Sequence, residues 1–291
     1  MSKQTQQNRE SLVIAPFFRI ETPPLGIACL QAYLKQFDIH VDFTDFRLKE
    51  NGNDITSSNV GYKYNHAGDL QDLPLIQTVA ANFLNTKPLL DDIDKAVRKY
   101  VDSRPLGYFT IKEDIADIYR IFNQELKRLS QYSLVGFTTY ATNIFFSVLL
   151  ACMLKQAKPG ITVIFGGPQV SESELTSEIL LRLKIVDAVA IGDGEETLRQ
   201  IIEADRAEKS LAVDGAMTVD FNTGTLVKKP APRLNIQTLP CPDFPVSQSI
   251  VMVQALPPYH YIHPVAVLIN VSFATKTRCG TSTDGLRLSR L

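Results

Sequence analysis

The chain is short of the features that announce the commonest functional classes. It holds four cysteines in 291 residues (Cys29, Cys152, Cys241 and Cys279), and no two of them form a CxxC pair. That scatter argues against structural zinc and against a disulfide framework, and it fits a reducing cytoplasm. An excess of one charge is missing too: 30 basic against 31 acidic residues leave a net charge of -1. A generic nucleic-acid surface is therefore not expected. Long hydrophobic runs are absent, and the longest, around Ile144 to Leu154, is too short to span a bilayer. Residues 1–10 are polar, lack the apolar stretch of a signal peptide, and are expected to be a disordered lead-in. No P-loop lysine and no GxGxxG occur in any loop that could hold a phosphate, so nucleoside triphosphate and dinucleotide sites lose ground.

What is present is an alternation of short apolar runs and helical patterns. Apolar content is 45% and charged content 21%, close to the globular average. Leu12–Pro16, Ile161–Phe165 and Val186–Ile191 read as buried strands, and His40–Phe46, with Val41, Phe43 and Asp45 alternating, and Leu134–Thr138 read as two more strands. Ile27–Phe37, Ile111–Ser130, Ile144–Gln156, Ser173–Lys184 and Glu196–Ala204 read as the helices between and after them. Strands alternating with helices predict right-handed crossovers and a parallel sheet covered on both faces. The expected architecture is a doubly wound, flavodoxin-like or Rossmann-like α/β fold, five parallel strands in the order 2-1-3-4-5, with a helical insertion. The expected domain spans 11–210, with the insertion at 51–107. Residues 211–245 read as a small hairpin (Ala216–Asp220 and Thr225–Lys228 about a turn at Phe221–Gly224) followed by an extended linker.

In such a sheet ligands bind beyond the C-terminal strand ends. Four loops lie there: Thr22–Gly26, Thr139–Asn143, Gly166–Gln169 and Gly192–Glu196. They offer small residues, hydroxyls, one amide side chain and the N–H groups of helix starts, a surface suited to a large, partly apolar ligand with hydrogen-bonding amides. Each has a plainer explanation. Gly166-Gly167-Pro168 can be turn chemistry alone. Glu195 and Glu196 can be acidic residues that suit a helix N-terminus. Thr142 and Asn143 can cap the helix at Ile144. Cys29 and Cys152 fall on apolar helix faces and read as core; Asp42, Asp45, His40 and His66 are weak candidates for chemistry.

The order of these pieces is harder to explain plainly. TPPLGIACLQAYLKQ (22–36), VGFTTYATNIFFSVLLACMLKQAKPGITVIFGGPQVS (135–171), VDAVAIGDGEETLRQII (186–202) and LPCPDF (239–244) resemble the N-terminal cobalamin (B12)-binding domain of B12-dependent radical SAM proteins. The resemblance covers roughly residues 11 to 245 and is weak across the insertion. It implies a corrin lying over the C-terminal strand ends, with its nucleotide tail buried beside the later strands. Matched motif by motif, the implied cobalamin contacts are Pro23, Pro24, Thr139, Tyr140, Asn143, Gly166, Gly167, Pro168, Gly192, Gly194 and Glu195. The DxHxxG motif that lets a histidine ligate cobalt is missing from the first loop, so the implied state is base-off without imidazole ligation. The implied partner is the corrinoid itself, with no membrane or nucleic acid.

Intact members of that family continue into a barrel whose CxxxCxxC motif holds a [4Fe–4S] cluster that binds S-adenosylmethionine. No such motif stands in this chain, so those two cofactors are expected only in intact relatives, and turnover is not expected from this chain alone. Residues 246–291 make little sense as written. Read across codon boundaries between Tyr259 and Gly280, the genetic code permits a string containing Gly-Cys-Phe-Asn-Lys-Cys-Gln-Phe-Cys, a radical SAM cluster motif. The expectation is a slipped reading frame near residues 245 to 256, ahead of an ill-structured tail. An unambiguous DNA read whose other frame lacks those three cysteines overturns it. Two rivals stand beside the main expectation: a stand-alone corrinoid-binding or sensing module, and a nucleotide- or sugar-nucleotide-binding α/β enzyme using Asp193, Glu195 and Glu196.

Overall fold

A computed structural model describes residues 10–16, 24–46, 111–140 and 143–242. The chain separates into two units, Met1–Phe244 and Pro245–Leu291, and the described residues all belong to the first. Residues 1–9 of the expected lead-in, the 51–107 insertion, Pro23, His66 and the 246–291 tail lie outside them, whereas Glu10, expected to end that lead-in, is buried at the start of the first strand.

Strands β1 (Glu10–Ile14), β2 (Val41–Asp45), β3 (Leu134–Thr138), β4 (Thr162–Gly166) and β5 (Ala188–Ala190) pair in parallel. Strands β6 (Ala216–Asp220) and β7 (Thr225–Lys228) then continue the same sheet antiparallel. The sheet therefore has seven strands in the order β2-β1-β3-β4-β5-β6-β7, not five. The hairpin, expected as an appendage, pairs with the β5 edge through Val189↔Met217 and Ala190↔Ala216. Ala216 and Met217 are fully buried there, which draws the hairpin into the core.

Side-chain parity divides the core in two. Val13, Val135, Phe137, Val163, Phe165 and Val189 point to the face covered by α2 (Ile111–Leu129), α3 (Ile144–Ala157), α4 (Pro168–Glu172) and α5 (Glu174–Arg182). Helix α3 is buried on every side from Ile144 to Leu154, which is why its sequence is apolar throughout rather than striped. Leu12, Ile14, Leu134, Ile164 and Ala188 point to the opposite face, under α1 (Leu25–Lys35) and α6 (Gly194–Arg206). No helix among the described residues is long and apolar enough to cross a membrane.

Two local expectations change. Gln169 does not stay in a loop, because α4 begins at Pro168, whose fixed φ suits a first helical position. The linker is not uniformly extended, since Ile236–Thr238 forms one 3-10 turn. At the N-terminal strand ends polar groups tie the layers together. Glu10, 2% exposed, accepts two hydrogen bonds from Arg206 at 2.8 and 3.0 Å. Lys155 pairs with Asp187, whose carboxylate also accepts from the Val163 N–H at 2.7 Å.

Candidate functional site

At the opposite, C-terminal end of the strands, the face under α1 and α6 runs short of side-chain volume. In register across the sheet stand Leu12, Gly136, Ile164 and Ala188. Two residues further along, Ile14, Thr138 and Gly166 are aligned, with Ala190 beside Gly166. The small residues in the second row leave a cleft of about 260 Å³ between the sheet, α1 and α6. Leu12, Ile164, Ile27, Leu30 and Leu198 are among its lining residues, with Gly136 in the floor. Gly136 is required by close packing: a Cβ there would stand 2.9 Å from a Leu12 methyl and 3.2 Å from Ile164 Cγ1. The mouth is lined by Thr138, Tyr140, Gly166, Gly167, Pro168, Gly192, Asp193, Gly194 and Glu195.

The mouth loops are held by hydrogen bonds. The Thr139 N–H and O–H both donate to the Gly166 carbonyl, at 2.7 and 2.8 Å, and the Thr139 carbonyl accepts from the Gln169 N–H at 3.2 Å. This latch needs Gly167, whose φ of +101° is open to glycine and strained for other residues. The Tyr140 N–H donates to Asn143 Oδ1 at 2.7 Å, and the Asn143 amide donates to the Thr138 carbonyl at 3.2 Å. The Gly192 N–H donates to Ser171 Oγ at 3.3 Å, tying the Gly192–Glu196 loop to α4.

The motif residues thus separate by position. Tyr140, Gly166, Gly167, Pro168, Gly192, Gly194 and Glu195 share the cleft. Thr139 and Asn143 are wholly buried beneath it and spend their polar groups on the loops. Asn143 precedes α3 without capping it by side chain, so neither capping nor direct exposure describes it. Pro24 is buried before α1, where its carbonyl accepts from the Ala28 N–H at 3.1 Å. Residues missed from sequence are Leu12, Ile27, Leu30, Gly136, Thr138, Ile164 and Leu198, because they sit on strand interiors and helix walls. Strand parity was the available signal: Gly136, Thr138, Gly166 and Ala190 share one face.

Among the acids, Glu196 turns away from the cleft. It accepts from the Tyr33 hydroxyl at 2.9 Å, from Arg199 at 2.6 and 2.7 Å, and from the Gln200 amide at 2.9 Å. The Arg199 guanidinium, with Gln200 and Tyr33, holds its carboxyl down at about 2. Asp193 and Glu195 remain at the mouth, at the start of α6, whose N-terminus carries no side-chain cap bond. Cys152 is buried in α3 and its thiol is pushed up to about 12 by burial. Cys29 on α1 is raised by burial and by the nearby Glu195 charge. Neither thiol is poised as a nucleophile. His40, the histidine among the described residues, stands exposed just before β2, at the N-terminal strand ends, 3.4 Å from Asp38. No cluster of three metal-ligating side chains occurs among the described residues.

No protein-family model matches the chain. An uncharacterized methyltransferase of Pyrococcus horikoshii is 25% identical to it over 135 residues, 45% of this chain and 27% of that protein. The chain thus spans about a quarter of the length of this curated relative. Among solved structures, the cobalamin-dependent S-adenosylmethionine radical enzyme OxsB, with aqua-cobalamin and S-adenosylmethionine bound, gives a TM-score of 0.47 at 16% identity. That likeness covers 86% of this chain and 25% of OxsB. The radical S-adenosylmethionine methyltransferase TsrM from Kitasatospora setae, with tryptophan substrate and a SAM analog bound, gives 0.40 at 12% identity, over 77% of this chain and 30% of TsrM. Both are distant likenesses.

Proposed function

We propose that this domain binds a corrinoid of the cobalamin class, across the loops at the C-terminal strand ends, with the nucleotide tail in the cleft. The observation that carries this is the glycine- and alanine-floored slot opening between α1 and α6 under a rim of braced loops. Its volume of about 260 Å³ is too small for a whole corrinoid, since pockets that engulf drug-sized ligands run about 300–1,000 Å³. It suits a tail-sized group, with the macrocycle outside. The residues present fit that division. A side chain at Gly166 would meet nothing nearer than the Ala190 Cβ at 3.7 Å, so the space above it is free for a ligand. Tyr140, Glu195 and the uncapped N–H groups of α6 stand at the mouth, where corrin carboxamides need donors and acceptors.

When bound, a corrinoid supplies methyl-group transfer through its cobalt, and the methyltransferase name of the partial relative fits that chemistry. This chain's own part is to bind, orient and shield the cofactor. Thr139, Asn143 and Gly167 hold the rim in shape, and Pro24 stands just ahead of α1. The [4Fe–4S] cluster and S-adenosylmethionine belong, on this proposal, to a segment other than the described domain. The sugar-nucleotide alternative loses an acid, because Glu196 is committed to Arg199 and Tyr33 and leaves only Asp193 and Glu195 at the cleft.

The test is incubation of the full chain with hydroxocobalamin, then desalting and absorbance spectroscopy. A retained corrin spectrum near one equivalent is expected. A colourless protein that is instead stabilised against heat by a sugar nucleotide overturns the proposal in favour of the alternative.

A further inference from the structure

The chain leaves the β6–β7 hairpin past the C-terminal end of β5, beside the Gly192–Glu196 loop. Two backbone bonds seat it there. The Lys229 N–H donates to the Ala216 carbonyl at 3.1 Å, and the Pro230 carbonyl accepts from the Gly215 N–H at 3.0 Å. The Gly215 carbonyl accepts in turn from the Ile191 N–H at 2.8 Å, just past β5. Ala231 then packs on two glycines. A Cβ on Gly192 would meet the Ala231 methyl at 3.5 Å. A Cβ on Gly215 would meet the Ala231 Cα at 3.3 Å and collide with the Thr197 hydroxyl, so Gly215 is sandwiched between the departing chain and the start of α6. Thr197 is wholly buried, and its hydroxyl has no hydrogen-bond partner among the described residues, so packing alone carries that contact. Pro230 and Pro232 flank Ala231, each fixing its own φ and holding the residue before it extended. Ala231 to Leu234 form no hydrogen bond among the described residues. The segment is therefore a stiff strap, pinned at Lys229 and Pro230 and seated beyond them by the contacts of Ala231.

We infer that Ala231 is a positioning residue for the ligand at the cleft mouth, and that the seating of its strap is linked to occupancy of that mouth. The inference rests on the corrinoid reading above and adds a regulatory element to it. Gly192, Gly194 and Glu195 line the mouth, and the strap backs their turn twice, at Gly192 directly and at Thr197 through Gly215. The other tie on Gly192 is the long 3.3 Å bond from its N–H to Ser171. Displacing the strap therefore moves the groups that meet the ligand. Linkage is reciprocal: a ligand that binds the turn in this position favours the seated strap by the same factor.

The experiment titrates the full-length chain with hydroxocobalamin, following corrin absorbance, for the parent, Ala231→Leu and Ala231→Ser. Further carbons on residue 231 have no room toward Gly192, so A231L is expected to shift the turn and weaken binding at least about fivefold. A231S, close to alanine in size, is expected to stay within about twofold of the parent. Limited trypsin digestion, read by the masses of the fragments, reports the converse link at Arg233, which is exposed on the unbonded part of the strap. Cleavage there needs the strap to open, and it is expected to be at least about threefold slower with cobalamin bound. A231L binding as tightly as the parent overturns the positioning role. Cleavage after Arg233 at the same rate in the free and loaded chain overturns the linkage. Both results leave corrinoid binding intact, whereas a parent chain that retains no corrin removes the corrinoid reading and the inference with it. Should A231L fail to fold, Pro232→Gly frees the strap backbone instead and is expected to weaken binding about two- to fivefold. Unchanged affinity in that variant overturns the inference equally.

Discussion

Two adjacent glycines separate cofactor fit from fold. Gly166 ends β4 with open space before it, whereas a Cβ on Gly167 would stand 2.7 Å from the Thr139 carbonyl oxygen and 2.9 Å from its nitrogen. Gly166→Val is expected to change stability by less than about 1 kcal/mol, since a β-branched residue suits a strand. It should weaken cobalamin retention tenfold or more by filling the slot. Gly167→Ala is expected to cost about 1–3 kcal/mol through its left-handed backbone and the collision with the latch. Thermal unfolding and corrin absorbance on both variants check the pair, and a destabilised G166V that still binds cobalamin contradicts it. At this scale the sequence picked out loops that border the cleft and was poor at saying which of their side chains reach it. Thr139 and Asn143 look like contacts in a motif, yet both are buried braces, because a loop's polar side chain can turn inward as readily as outward. Gly136 looks like nothing until register sets it beside Leu12 and Ile164.

Helices α1 and α6, the walls of the cleft, are joined on their outer side by a polar clip. Tyr33 donates to Glu196, Arg199 bonds Glu196 and Glu203, and the Arg199 guanidinium lies 4.8 Å from the centre of the Phe37 ring. Glu196 is held near 2, below its ordinary value of 4.5, chiefly by Arg199. A depressed carboxylate stabilises the fold above its unfolded value, and that contribution fades as pH falls from about 4.5 toward about 2. Glu196→Gln is therefore expected to lower stability at neutral pH by on the order of 1 kcal/mol, allowing for solvent screening of this partly exposed cluster. The difference from the parent chain should shrink across that acid window. Denaturant titrations at pH 7, 4.5 and 3 measure it, and a constant difference at all three contradicts it. The main elements were legible because strands and long helices impose periodicities of two and 3.6 on apolar residues. The five-residue α4 was not, since one turn of helix is too short to show a period.

For the whole molecule, the first loop has no DxHxxG motif, and His40 is the histidine whose place in the fold can be given among the described residues. His40 sits at the N-terminal strand ends, opposite the cleft, and no other histidine lies among the described residues. Cobalamin reduced to Co(II) on this protein is expected to give an EPR spectrum without axial-nitrogen hyperfine splitting, with its base in the cleft and no imidazole in its place. Clear nitrogen splitting sinks that expectation.

The sequence by itself determined the α/β class, the parallel run of the first five strands and the loops at their C-terminal ends, because burial on both sheet faces leaves its mark on β1, β3, β4 and β5 and the edge strand β2 keeps an alternating pattern. It also carried the absence of a P-loop and of a cobalt-ligating histidine motif. Tertiary structure alone decided that the hairpin joins the sheet as its sixth and seventh strands, since edge pairing depends on which backbone groups the fold leaves open. It alone separated the seven motif residues that share the cleft from the buried Thr139 and Asn143. It alone brought Leu12, Leu30, Ile164 and Leu198 to one cleft, because they are distant along the chain and meet only when the helices close over the sheet.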